Sequence, residues 1–326
     1  MKIALITPAP AQVHSGNRTT GDRWARLLRE LGHEINVLAD WKGEACDLLI
    51  ALHARRSFPA IQRFSHERPN AALIVALTGT DLYGGLENST EVISSLNLAS
   101  RIVVLQALGA EAVPESLRTK VRVIYQSAER ASPPPAREER WFQVCVLVHL
   151  RRVKDPLRAA YAVRGLPASS RIQVKHAGAV LDPDFAQQVE AETHTNPRYE
   201  WLGPQTHDDA MDLLARSQML VLTSQSEGGA NVLSEAIAAG TPVISSLIPG
   251  SVGILGADYP GYFPLGDSIA LREQLQRAES NEEFYRDLRE WIAKLRPLVS
   301  VAREREAWRS LLTELSHRRT GERKCR

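Results

Sequence analysis

At 326 residues the chain is long enough for about two domains and far too long for a disulfide-stapled mini-protein. With 44% hydrophobic and 24% charged residues, 20 Gly and 18 Pro, it has the usage of a folded globular protein rather than a disordered, collagen-like or coiled-coil one. Lys+Arg 40 against Asp+Glu 38 gives +2, and the last ten residues, HRRTGERKCR, hold five bases and one acid; residues 1–316 are therefore at −2, which excludes nucleic-acid binding by bulk charge and leaves a solvated basic tail.

The N-terminal MKIALITPAPA loses its apolar run at Pro8, too soon for a signal-peptide core, so it reads as a first strand. Trp24, Leu27, Leu28 and Leu31 then recur at helical spacing, and Gly32 supplies the stop. Further short aliphatic runs follow as strands: EINVLA, DLLIAL, AALIVAL, RIVVLQ and VRVIY. They lack polar alternation, so both faces of their sheet are covered, as in a parallel α/β sheet. At Ala131–Glu139 the prolines of SPPPAREE can neither continue a helix nor pair in a central strand, which places a linker there.

After that break the alternation restarts at Phe142 with FQVCVLV, RIQVKHA, MLVLT and PVISS. The fold class is thus α/β, two doubly wound Rossmann-like domains facing a cleft, over 1–131 and 140–326. From about Ala270 the chain turns helical, with Leu271, Leu275, Phe284, Leu288, Trp291, Ile292, Leu295 and Trp308 as the buried stripe of an extension expected to pack back on the first domain. No solenoid repeat is visible, and no run reaches the ~18 apolar residues of a membrane span. Cys46, Cys145 and Cys325 have no metal-ligand spacing, which fits a reducing, cytoplasmic setting.

The strongest constellation is SEGGANVLSEAIAAGTPVIS, residues 226–245, at a strand-to-helix junction on the carboxyl edge of the second sheet. Gly228 and Gly229 let the backbone approach a ligand, Asn231 can cap the following helix, and the free N–H groups of its first turn suit a diphosphate. Glu227 precedes that helix and Glu235 lies about two turns along it, so one carboxylate can meet a group beyond the helix end while the other meets vicinal hydroxyls along its side. HLRRVKDP, 149–156, puts Arg151, Arg152 and Lys154 at the edge of the same sheet, although a basic helix start with Asp155 as cap and Pro156 at the first position also fits. In the first domain Arg18 follows the first strand, and IALHARRS sets His53, Arg55 and Arg56 just past another strand end. Two acidic clusters are decoys for metal: Asp182-Pro183 reads as a helix cap with proline at the first position, and Thr206 to Asp209 as a capping box. GxGxxG after a strand and GxxxxGK[ST] are both absent, which removes the dehydrogenase and P-loop readings.

Glu227-x7-Glu235 with its glycine turn resembles the signature of retaining nucleotide-sugar glycosyltransferases of the B-type, twin-Rossmann fold (GT-B). The resemblance implies that Glu227 lies near the donor sugar and that Glu235 holds the ribose hydroxyls. It further places the uracil near Trp201–Gly203, and the diphosphate on Arg151 and Lys154, with Arg152 interchangeable with Arg151. Gly16 and Asn17 of TPAPAQVHSGNRTT would approach the donor phosphates, and Gly203, Gly228, Gly229, Ala230, Asn231 and Val232 would complete the donor site. Glu227, Lys154 and Arg151 would be catalytic. Many such proteins read His-Gly-Thr-Asp-Leu where this chain has Thr78-Gly-Thr80-Asp-Leu; a missing histidine base suggests a nucleophile that arrives already anionic.

Together with ALHARRS, VIYQSA and IPGSVGILGADYPGYFP, these phrases are similar to the selenosugar synthases of selenoneine biosynthesis. That likeness implies selenophosphate attacking a UDP-sugar that carries N-acetylglucosamine or glucose, release of UDP, and a 1-selenosugar once phosphate is lost. Arg18, His53, Arg55, Arg56, Thr78 and Thr80 would hold the acceptor. The substrates are small molecules, with no cofactor, metal, nucleic acid or membrane implied. A conventional O- or S-glycosyltransferase, with another base near Thr78, and a nucleotide-sugar sensor that binds without reacting are the alternatives.

Overall fold

The computed structural model describes residues 1–8, 16–129, 136 and 140–324, and side chains as far as 316. Most of the proline linker, residues 9–15 of the glycine loop, and the side chains of the basic tail, Cys325 included, lie outside the described residues. Among the described residues, twelve strands form two six-stranded sheets. The first contains β1 (Lys2–Ile6), β2 (Glu34–Leu38), β3 (Leu48–Leu52), β4 (Ala72–Leu77), β5 (Arg101–Val104) and β6 (Val121–Val123), in the order β2-β1-β3-β4-β5-β6. The second contains β7 (Phe142–Leu147), β8 (Ile172–Ala177), β9 (Tyr199–Gly203), β10 (Met219–Leu222), β11 (Val243–Ser246) and β12 (Tyr262–Phe263), in the order β12-β11-β10-β7-β8-β9. Every strand pair is parallel.

The chain divides into two compact units: Met1–Ser127 with Glu227–Asn231 and Val301–Arg326, and Ala128–Ser226 with Val232–Ser300. In the first unit, successive residues of a strand serve opposite faces of the sheet. Ile3 and Leu5 pack with Trp24, Leu27 and Leu28 of the helix Gly16–Glu30 and with Trp308, Leu311 and Leu312 of the C-terminal helix Val301–Lys324. Ala4 and Ile6 pack on the other side with Phe64, Val92 and Leu96. The helix Gly16–Glu30 forms because its apolar residues recur on one stripe, and Trp24 meets Trp308 edge-on at 4.7 Å between ring centres.

The second unit follows the same logic. Val144, Cys145 and Val146 of β7 and Leu220–Leu222 of β10 are fully buried, and burial pushes the Cys145 thiol up to about 12, which makes it a core residue rather than a nucleophile. Of the C-terminal stripe, Leu271, Leu275, Phe284, Leu288, Ile292 and Trp308 are buried, whereas Trp291 and Leu295 are only half-buried. No helix among the described residues is long and apolar enough to cross a membrane.

In the first unit Glu314 of the C-terminal helix is paired with Arg101 of β5 and with Arg122 of β6. Hydrogen bonds from Arg101 and then Arg122 hold the Glu314 carboxyl at about 2 against an ordinary 4.5. A depressed carboxylate stabilises the fold above its ordinary value, and that contribution is lost as pH falls from 4.5 towards 2. Thermal unfolding followed across that window is expected to show a steeper decline in Tm for the native chain than for Glu314→Gln, whose curve lacks this component.

Candidate functional site

In parallel α/β sheets ligands bind beyond the carboxyl ends of the strands, where the strand order reverses. That reversal falls between β7 and β10 in the second sheet and between β1 and β3 in the first. The segments leaving these strands carry most of the residues singled out above.

In the second unit, the chain leaving β7 passes an extended Arg151 into a single 3-10 turn, Arg152–Lys154, and then a left-handed Asp155 at φ 44°. The helix start expected at Asp155-Pro156 is displaced: Asp155 closes the preceding turn, and the next helix begins at Arg158, whose Nε donates to Asp155 at 2.8 Å. The segment after β10 straps this turn down. Thr223 Oγ1 lies 2.9 Å from the carbonyls of Lys154 and Asp155, and Gln225 N donates to Val153 O at 2.8 Å. Arg151 and Lys154 are half-buried on that strapped turn. Arg152 is exposed, with its guanidinium 3.4 Å from Asp184.

Further along the same edge, Gly178 must be glycine, because a Cβ there would sit 1.9 Å from Val148 O. Its carbonyl accepts Trp201 Nε1 at 2.9 Å, and its N–H donates to the carbonyl of Gly203, which is itself left-handed at φ 72°. The helix Asn231–Ala239 starts one residue earlier than a cap at Asn231 would allow. Asn231 is its first residue, and its side chain is spoken for by Arg23, Gly16 O and Thr20 in the first unit. Glu235 is consequently the fifth residue, just past the first turn rather than two turns along, and is half-buried.

In the first unit, His53 follows β3 in the left-handed region at φ 64°, uncommon for a residue with a Cβ. The turn brings Ala54 N to the buried Asp81 carboxylate at 2.8 Å, which also accepts from Gly79 N at 2.9 Å and Thr78 N at 3.1 Å. Asp81 thereby pins the ends of two neighbouring strands. His53 Nε2 lies 3.3 Å from Thr80 Oγ1. Burial, and secondarily the Arg56 charge, push the imidazole below its ordinary value against the pull of Asp81, so it is neutral at neutral pH. Arg55 and Arg56 follow with exposed side chains, Arg55 Nε donating to Ser89 Oγ at 3.2 Å. The Thr78 hydroxyl is buried and has no hydrogen-bond partner among the described residues.

The Glu227–Asn231 segment belongs to this unit and meets the same edge. A Cβ on Gly228 would come within 2.6 Å of Gly79 N and Thr78 C, and one on Gly229 within 2.5 Å of Leu105 Cβ. Gly228 is therefore required by close approach to the Thr78–Gly79 backbone, and Gly229 by close packing against the Leu105 side chain. Glu227 is 7% exposed. The structure thus brings His53, Thr78, Thr80 and the Glu227–Gly229 turn together, with Gly16 beside Asn231 on the same unit. Asn17 opens the helix Gly16–Glu30, and Arg18 is engaged by Asp22 at 2.8 Å. Arg151, Arg152, Lys154, Gly203, Val232 and Glu235 lie in the second unit.

The acidic decoys are caps: Asp182 accepts from Asp184 N and Thr206 from Asp209 N. Among the described residues no group of three or more His, Cys, Asp and Glu could hold a metal ion. Sequence reading missed Asp81, although an aspartate in the first helical turn past a strand end is a recurrent holder of backbone N–H groups. It also missed Arg23, Gln126 and Glu304, for which no local signal exists.

The family model of glycosyl transferases group 1 matches residues 127–294. N-acetyl-alpha-D-glucosaminyl L-malate synthase of Bacillus anthracis is 31% identical over 111 residues, a match spanning 33% of this chain and 29% of that relative. Among solved structures, Anabaena HepE in complex with UDP and glucose superposes with a TM-score of 0.76 at 15% identity, covering 96% of this chain and 100% of that one. Sucrose-phosphate synthase of Thermosynechococcus elongatus gives 0.73 at 15% identity over 97% and 99%. These likenesses show a two-domain α/β fold of the GT-B type.

Gly228→Ala forces either the Glu227–Asn231 turn or the Thr78–Gly79 peptide to move. It is expected to destabilise the chain by about 1–3 kcal/mol, the usual range for overpacking, read by denaturant unfolding.

Proposed function

The chain belongs to the group 1 glycosyl transferases, and on that premise we propose that it transfers a hexose, N-acetylglucosamine or glucose, from a UDP-sugar to selenophosphate. Selenium attacks the anomeric carbon, the bond from that carbon to the UDP oxygen breaks, and UDP leaves with the electron pair. Hydrolysis of the Se–P bond by water then gives the 1-selenosugar and phosphate.

The observation that carries the reading is the grouping of a buried Glu227 and its glycine turn with His53, Thr78 and Thr80 on one sheet edge, flanked by Arg55 and Arg56. Thr78 stands where a histidine base would serve a neutral alcohol, and a soft anion needs none. Positive groups beside it suit phosphoryl oxygens. Donor binding falls to Arg151, Lys154 and the first-turn N–H groups of the helix Asn231–Ala239 for the diphosphate, Glu235 for the ribose, and Glu227 for the sugar. Arg151 and Lys154 interact more strongly with UDP as its charge develops, and one such donor contributes about 3 kcal/mol to lowering the barrier. The Anabaena structure holds UDP and glucose, which supports a UDP-sugar donor.

The name of the Bacillus anthracis relative favours a second reading, O-transfer of N-acetylglucosamine to a small hydroxy acid. Both acceptors are compact anions, and the product separates them. UDP release from UDP-N-acetylglucosamine is measured with and without fresh selenophosphate, with mass spectrometry of the sugar. A selenium-containing hexose formed in step with UDP is expected. Release that follows malate and ignores selenophosphate overturns the selenium acceptor and leaves hexosyl transfer. Lys154→Ala is expected to lower kcat by about 100-fold, the usual effect of removing one donor to a developing charge, and Glu227→Gln to abolish slow donor hydrolysis as well as transfer.

A further inference from the structure

The first unit contains a buried polar cluster that none of the donor or acceptor roles uses. Glu304, on the C-terminal helix, has a fully buried side chain. It accepts hydrogen bonds from Trp24 Nε1 at 2.8 Å, Ser127 N at 2.8 Å, Arg23 Nε at 3.1 Å and Ser127 Oγ. An ionised carboxylate taken this far from water is tolerable only when its lone pairs are met in this way.

Arg23 is nearly as buried, 11% exposed in its side chain, and Glu304 accounts for only one edge of its guanidinium. The other donors are aimed at the glycine turn: one terminal nitrogen reaches Asn231 Oδ1 at 2.9 Å and the second reaches Gln126 Oε1 at 2.5 Å. Gln126 is buried, so its amide must also be satisfied, and its Nε2 donates to Gly229 O at 2.6 Å. Thr20 Oγ1 donates to the same Gln126 oxygen at 2.7 Å. A charged pair therefore ends in hydrogen bonds on the carbonyl of Gly229 and the side chain of Asn231, two residues of the segment beginning with Glu227.

We infer that Arg23, Gln126 and Glu304 are positioning residues for hexosyl transfer: the Arg23–Glu304 pair holds the fork that fixes Gly229–Asn231, and with it Glu227 and the first turn of the following helix. The inference rests on the donor reading of that segment. The arginine fork is essential to it, since only a planar guanidinium can reach Glu304, Gln126 and Asn231 at once. Such pre-set geometry acts on the rate of the bound complex rather than on binding alone.

Glu314 supplies the control, because it lies on the same helix as Glu304 but pairs with Arg101 of β5 and Arg122 of β6 and makes no contact with the glycine turn. In the full chain, Arg23→Lys keeps a cation beside Glu304 and removes the fork, Glu304→Gln removes the charge, and Glu314→Gln removes the unrelated pair. UDP release gives kcat and KM, and amide hydrogen exchange reports residues 228–232. Arg23→Lys and Glu304→Gln are expected to speed exchange at 228–232 and to lower kcat at least about tenfold, since small misplacements of reacting groups cost that much or more, with KM within about threefold. Glu314→Gln is expected to lower Tm and leave kcat and that exchange unchanged. Arg23→Lys, the milder change, carries the test if Glu304→Gln does not fold. Wild-type kcat in Arg23→Lys, or a loss matched by Glu314→Gln, overturns the inference. A wild-type chain that releases no UDP from any UDP-hexose overturns the donor reading on which it rests.

Discussion

Every strand in both sheets runs parallel to its neighbours, and the placement of the chemistry follows from that constraint. A parallel pair cannot be closed by a hairpin, so the chain must cross back over a face of the sheet after almost every strand. Those crossings bury both faces, which is why Leu48–Leu52 is buried along its whole length. They also send all strand ends of one kind to one edge. Arg151 and Lys154 follow β7, the Glu227 segment follows β10, His53 follows β3 and Thr78 follows β4, each a carboxyl end.

Loops at such an edge have little apolar surface to hold them, and here buried polar groups do the holding. Asp81 gathers three backbone N–H groups from two strand ends, Thr223 reaches the carbonyls of Lys154 and Asp155, and Arg23 with Gln126 reaches the turn that carries Glu227. Each is a case in which an unmet partner would cost more than the bond contributes, so the arrangement is all-or-none. Glycines at 228 and 229 admit the close approach that such bonding requires.

Among the described residues, ten of the twelve strands were legible as aliphatic runs, the central ones because a strand buried on both faces must be aliphatic throughout, and β2 and β6 through their valines, isoleucine and leucine despite partly exposed rim positions. The two that were not, β9 and β12, lie at the rims of the second sheet. YEWLG is half-exposed, carries a charge at Glu200 and meets β8 through an irregular register, while YF has only two residues. At the site, residue types and spacing pointed to the Glu227 turn, but local geometry went unread. A left-handed Asp155 replaced the expected cap, and Asn231 turned its side chain towards partners more than two hundred residues away in sequence. Arg23 and Glu304 are separated by 281 positions, and nothing local to either marks the pair. Periodicity reports what faces a core; it carries no information about which buried charges meet.

In the proposed donor site, the segments leaving β7 and β10 hold the diphosphate of a UDP-sugar. A crystal structure of the chain grown with saturating UDP tests it most directly. Diphosphate oxygens are expected within hydrogen-bond distance of Arg151, Lys154 and the first-turn N–H groups of the helix Asn231–Ala239, with the ribose hydroxyls on Glu235. Nucleotide bound at any other edge of the sheets, or none at saturation, would contradict it.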